Sequence, residues 1–126
     1  GLGDVYKRQD KIPTYHTNVL MFITNKFAGI CFDSISDSKN LLSNIEKTHK
    51  ILNLSIEQVK NFSGNAIVVR NINNEAKFLI STSGLKAFDL IQKRFIEKYY
   101  DIVDINIPTI EKIGGGSVRC MVLELF

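Results

Sequence analysis

No apolar run in this chain of 126 residues approaches the roughly 20 that a bilayer-spanning helix needs. Neither a cleavable apolar leader nor an arginine-rich amphipathic start opens it, so secretion and membrane insertion are not expected. Proline (2) and glycine (8) are few while 44% of residues are hydrophobic and 23% charged, which argues against collagen-like repeats and long disorder. Charge of one sign is not in excess: 16 Lys+Arg against 13 Asp+Glu leave +3, interspersed. A phosphate-binding surface usually shows as a clustered basic stripe, so no nucleic-acid partner is expected. Cys31 and Cys120 are too few and too far apart for a disulfide scaffold. Together with His16 and His49 they lack ligand spacing, and no nucleotide fingerprint is present, so neither a metal nor a cofactor is expected. A reducing cytoplasm is the expected setting, and the length allows one domain.

Gly1 to Gln9 (GLGDVYKRQ) has no periodicity and resembles the translated end of a transposon used in library preparation. It is set aside as an assembly scar, with residues 10–126 as the native domain and an upstream portion expected to be missing. After it, short β-rich runs alternate with helical patterns. Asn18–Thr24 and Phe27–Phe32 read as a hairpin across Asn25-Lys26. A helix is expected from Ser36-Asp37 to about Lys50, then a strand over Ile51–Leu54 and a brief helix opened by Ser55. Ala66–Arg70 and Lys77–Ser81 form a second hairpin around Asn71–Glu75. A helix follows over Gly84–Tyr99, a strand over Ile102–Ile107, a helical turn over Pro108–Ile113 with proline near its start, and a closing strand over Val118–Phe126 (VRCMVLELF).

This is an internal repeat. Ile51-Leu52-Asn53-Leu54 through Phe62-Ser63-Gly64 aligns without gaps on Ile102-Val103-Asp104-Ile105 through Ile113-Gly114-Gly115, at an offset of 51 residues. Ile12-Pro13-Thr14 echoes Ile107-Pro108-Thr109 as a third start. Repeats of this length usually make arrays or propellers in which each unit buries its face on a neighbour.

Three places stand out chemically. His16, in Tyr15-His16-Thr17-Asn18, precedes a strand and titrates near neutral pH; His49, in the polar stretch EKTHK, reads as a solvated helix face. Gly114-Gly115-Gly116-Ser117-Val118-Arg119-Cys120 brings a thiol beside a cation after a flexible loop, an arrangement that favours a thiolate. Cys31, inside FAGICF, reads as a small buried hydrophobe. In Phe62-Ser63-Gly64-Asn65, Asn65 either lines a pocket with its amide or simply serves the turn.

The combination of IPTYHTNVLM (Ile12–Met21), FSGN and PTIEKIGGGSVRCMVLELF (Pro108–Phe126) resembles the C-terminal half of the amidinotransferase/arginine-deiminase superfamily. Its closest likeness is to the arginine-deiminase-related, citrulline-utilisation hydrolase branch, over Lys11 to Phe126. The resemblance implies an α/β fold, a partial pentein of about two and a half ββαβ-type repeats from a five-bladed propeller. It implies Cys120 as nucleophile on a guanidinium or ureido carbon and His16 as general acid/base. Asn18 stands where many relatives have an aspartate, which suits a neutral ureido group such as that of citrulline. Asn65 and Arg119 match substrate-binding positions. The implied partner is a small guanidino or ureido amino acid, with a homo-oligomer as a further expectation.

Relatives also hold substrate nitrogens with acidic residues from the first half of the ring. Asp10, Asp33, Glu111 and Glu124 carry no matching motif here; Asp33 and Glu111 read as surface charges. The parent protein is therefore expected to be the enzyme, and this segment alone to be inactive and poorly soluble, because substrate orientation is worth roughly 7–11 kcal/mol and exposed strand edges associate. Amidinotransferase chemistry, a non-catalytic pentein binding module and an unrelated α/β domain are the alternatives.

Overall fold

The computed structural model describes residues 20–36 and 38–122. The leader of residues 1–9, the echo at Ile12-Pro13-Thr14, and Asp10, His16, Asn18 and Glu124 lie outside the described residues. Strands β1 (Met21–Ile23), β2 (Phe27–Ile30) and β3 (Lys50–Asn53) form one sheet in the order β1-β2-β3. Strands β4 (Ile67–Arg70), β5 (Ala76–Ser81) and β6 (Asp101–Ile105) form a second in the order β4-β5-β6. In each sheet the first pair is antiparallel and the second parallel. A parallel return needs a crossover. Helix α1 (Ser38–Glu46) crosses from β2 to β3, and α2 (Ile56–Lys60) follows β3. Helices α3 (Thr82–Ala87) and α4 (Leu90–Glu97) cross from β5 to β6, and α5 (Pro108–Gly114) and the short α6 (Val118–Met121) follow β6. The described residues thus make a mixed α/β arrangement of two like units, consistent with a partial pentein-type domain. The 51-residue offset carries Lys50, first in β3, onto Asp101, first in β6, and Phe27 in one central strand onto Phe78 in the other.

Local chemistry explains the element ends. Thr24 closes the first hairpin: its Oγ1 accepts from the N–H groups of Lys26 and Phe27 and donates to the Phe27 carbonyl. Asn71 closes the second, its Oδ1 accepting from the N–H groups of Asn73 and Glu75 while Asn74 takes a left-handed φ of 62°. Ser55 caps α2 in a capping box with Gln58, as expected of Ser-x-x-Gln. The expected helix over Gly84–Tyr99 is instead two helices, because Asp89 makes a capping box with Gln92 and restarts the chain. The helix begun near Ser36 ends at Glu46, since Lys50 opens β3. His49 sits at the turn after α1, half-buried, with Nδ1 2.7 Å from Thr48 Oγ1.

The two units are joined by aromatic packing. Phe27 and Phe78, the equivalent residues of the central strands, stack with ring centroids 6.4 Å apart. Phe22 meets both edge-on, at 5.9 and 5.1 Å, and Phe95 meets Phe27 at 5.0 Å. All four β2 residues are buried, as expected of a central strand covered on both faces. Polar contacts cross the same boundary: Gln58 and Gln92, the third residues of two capped helices, exchange amide hydrogen bonds at 2.6 and 3.2 Å. On the surface of the second sheet, Lys77 lies opposite Asp101 with Nζ 2.7 Å from Oδ2, and hydrogen bonding to that ammonium holds the carboxyl below its usual range. Among the described residues no helix is long and apolar enough to cross a membrane.

Phe27 touches rings from both units, so its truncation removes their common packing partner. Phe27→Ala should destabilise the protein by about 3–5 kcal/mol, read as a lowered urea midpoint. A change of less than about 1 kcal/mol would show that the ring cluster is peripheral.

Candidate active site

Helix α2 ends in a left-handed residue. Asn61 is the C-cap; the N–H of Phe62 bonds the Val59 carbonyl and that of Ser63 the Gln58 carbonyl, the paired pattern of a Schellman stop. The left-handed position is held by Phe62, φ 69°, rather than by the nearby Gly64. A non-glycine residue rarely adopts this conformation unless its surroundings hold it. Here the Asn65 N–H bonds the Phe62 carbonyl, and Ser63 Oγ, fully buried, donates to the Gly84 carbonyl at 2.8 Å. A Cβ on Gly84 would stand 2.8 Å from the Phe62 carbonyl oxygen, so this close approach requires glycine. The turn delivers Asn65, fully buried, toward the other end of the described chain.

Helix α5 also ends at a left-handed residue, here the C-cap Gly115 itself at φ 68°, with its N–H on the Glu111 carbonyl. The expected strand over Val118–Phe126 does not form across Val118–Met121, which is helical, and residues 123–126 lie outside the described residues. The reason is where the main-chain N–H groups go. Cys120 bonds back to Ser117, Val122 back to Arg119, and the Arg119 N–H is taken by Asn65 Oδ1 at 3.0 Å. A short apolar run is equally compatible with strand and helix in sequence.

These two turns meet at the sulfur. Asn65 Nδ2 donates to Cys120 Sγ at 3.1 Å, so one amide holds both the helix carrying the thiol and the thiol itself. Cys120 is exposed, whereas Cys31 is buried with its Sγ 3.2 Å from Ser34 Oγ. The two cysteines thus differ in both exposure and partner, an amide donor for Cys120 and a hydroxyl for Cys31. Arg119, expected as a cation beside the thiol, joins the site through its main-chain N–H. The glycines divide the work. Gly115 provides the left-handed cap, and Gly116 leaves room for the thiol, since a Cβ there would lie 3.1 Å from Cys120 Sγ.

Of the sequence-predicted site residues, the structure brings Cys120, Asn65 and Arg119 together. His16 and Asn18 are outside the described residues. Asp33 is exposed. Glu111 is not the surface charge expected of it: it is buried, and accepts a hydrogen bond from Ser117 Oγ at 2.5 Å. Sequence reasoning missed this pair, although Glu111 and Ser117 bracket the three glycines that lead to the cysteine. Among the described residues no group of three His, Cys, Asp or Glu side chains is placed to hold a metal.

Since Asn65 already holds the sulfur, a methyl group at Gly116, 3.1 Å from it, would crowd it. Gly116→Ala should slow alkylation of Cys120 by about tenfold, read by peptide mass spectrometry, with an unfolding midpoint close to that of the parent. An unchanged alkylation rate would refute the clearance role.

The comparisons speak to the family of the chain. No curated protein matches the chain. A family model described as N,N dimethylarginine dimethylhydrolase, eukaryotic, matches residues 4–126. That match supports the pentein/amidinotransferase superfamily but not the citrulline-utilisation branch expected from the motifs. With nearly its whole length matched, the chain belongs to the N,N-dimethylarginine dimethylhydrolase family.

Proposed function

We propose that the protein is, or is the C-terminal part of, a cysteine-dependent hydrolase that cleaves a guanidino C–N bond of an arginine-like substrate, with a methylated arginine as the leading candidate. The observation that carries this reading is the Cys120 sulfur, exposed at the end of a glycine-rich turn and hydrogen-bonded by the buried Asn65 amide; the family match supports it. In this mechanism the Cys120 thiolate adds to the guanidinium carbon and forms a C–S bond. Protonated His16 gives its proton to the departing amine as the C–N bond breaks, leaving a thiouronium-type covalent intermediate. Neutral His16 then takes a proton from water, whose oxygen attacks the same carbon; the C–S bond breaks, the thiolate returns, the remaining hydroxyl proton passes by way of solvent to the released amine, and a ureido product leaves. Two easier displacements replace one difficult one. Asn18, uncharged, favours a second reading in which the substrate is itself a neutral ureido compound. The proposed location is a reducing cytoplasm, where a reactive thiol persists.

The finer fold proposal is that the two units belong to a closed five-unit ring. Support comes from residues equivalent under the 51-residue offset. Leu52 and Val59 are 7% and 1% exposed in the first unit, where Val103 and Ile110 are 40% and 45% exposed in the second. Ile113, in the same row, is 82% exposed. The second unit thus offers outward the apolar positions that the first unit buries, as a unit awaiting a neighbour would.

The full-length protein incubated with dimethylarginine, arginine or citrulline and quenched during turnover should carry a substrate-derived mass on the Cys120 peptide. Cys120→Ser should abolish the adduct and lower kcat by at least about 10³-fold. His16→Ala should lower it by about 10²–10⁴-fold. Full turnover by Cys120→Ser would remove the nucleophile assignment, and release of ammonia from citrulline alone would select the ureido reading.

A further inference from the structure

Helix α6 is capped by a residue from the other unit. Its own N-cap residue, Ser117, is fully buried, yet the Ser117 side chain makes no capping bond and donates to Glu111 instead. Serine at an N-cap ordinarily accepts from the second or third N–H of the helix. In α6 the second of these is the Arg119 N–H, and Asn65 Oδ1 accepts it from 54 residues away. Oδ1 and Nδ2 belong to one planar amide, so fixing Oδ1 on Arg119 also fixes the direction of Nδ2, which lies on Cys120 Sγ. Glu111 holds the other end of the chain of contacts. It is buried on α5, and a buried carboxylate is retained only where donors meet it.

We propose that Glu111 is a positioning residue: by holding the Ser117 hydroxyl it prevents Ser117 from capping its own helix and reserves the Arg119 N–H for Asn65, which sets the Cys120 sulfur. The inference rests on Cys120 as the reacting thiol, and its structural half concerns the sulfur alone. Removing the carboxylate releases the hydroxyl to compete with Asn65. Removing the hydroxyl as well takes the competitor away. The two substitutions are therefore expected to compensate rather than add, which a merely structural carboxylate would not produce.

The test uses the full-length protein and reads iodoacetamide alkylation of the Cys120 peptide by mass spectrometry, alongside kcat and KM. Glu111→Ala should slow alkylation and lower kcat by about tenfold or more, with KM changed far less. The double variant Glu111→Ala/Ser117→Ala should react faster than Glu111→Ala and match Ser117→Ala. A double variant as slow as Glu111→Ala, or slower, overturns the proposal. If Glu111→Ala does not fold, Glu111→Gln decides, because its side-chain carbonyl still accepts the Ser117 hydroxyl. Alkylation within about fivefold of the parent supports the proposal, and a larger loss overturns it. Alkylation is read whether or not Cys120 turns substrate over, so a failed hydrolase reading leaves the ordering of these rates intact, and a failed ordering leaves the Cys120 adduct experiment unaffected.

Discussion

The stacking of Phe27 on Phe78 is the contact on which the rest of the structure depends. These are equivalent residues of two like units, each in the buried middle strand of its sheet. Their apposition brings the β2 and β5 strands together through side chains rather than through a shared ladder, since the two sheets are separate. Burial of aromatic area is non-directional and large, and ring geometry adds about 0.5–1.5 kcal/mol per pair. Directional bonds then fix what the rings only bring near: the Gln58–Gln92 amide exchange on one side and the Asn65 amide on the other. Because α6 packs against β5, a shift between the sheets would be felt at the thiol.

The polar half of the site is held at fully buried positions, where an unmade hydrogen bond costs about 1–3 kcal/mol. Ser63, Asn65 and Ser117 are all fully buried and all hydrogen-bonded across turns rather than within sheets. The consequence is an exposed cysteine whose sulfur is held by a buried amide. Mobility of the surrounding loops would normally be the default for glycine-rich sequence. Here Gly115 is spent on a left-handed cap and Gly116 on clearance, so the triple glycine makes a shaped turn rather than a slack one.

What was legible in the sequence follows from which signals are local. The two hairpins and the brief helix opened by Ser55 depend on side chains within a few residues of one another, and all are found. Cys120 was separable from Cys31 because its neighbours differ, glycine and arginine against an apolar run. The Asp89 capping box was equally local yet was overridden, because Leu85, Phe88, Ile91 and Phe95 continue a helical period across it. Phe88 is buried and Leu85 and Phe95 pack on the core, whereas Ile91 is 81% exposed, so the period runs on past the break without belonging to one helix. Glu111 is misread because its partner, Ser117, lies beyond three glycines, and helical spacing carries no information about that contact. The strand expected over Val118–Met121 failed because the deciding hydrogen bond comes from Asn65, a residue no local window contains.

The candidate site lies where two turns of the like units meet. Each follows the helix after a third strand, and each begins with a left-handed residue, Phe62 in one unit and Gly115 in the other. The packed rings bring the units together, so that a buried amide just after one turn meets an exposed thiol on the short helix after the other. Left-handed stops on two helices, unlike in detail, place an amide and a thiol within hydrogen-bonding distance. The order of causes therefore runs from the repeat to the ring stack, from the stack to the meeting of turns, and only then to the sulfur.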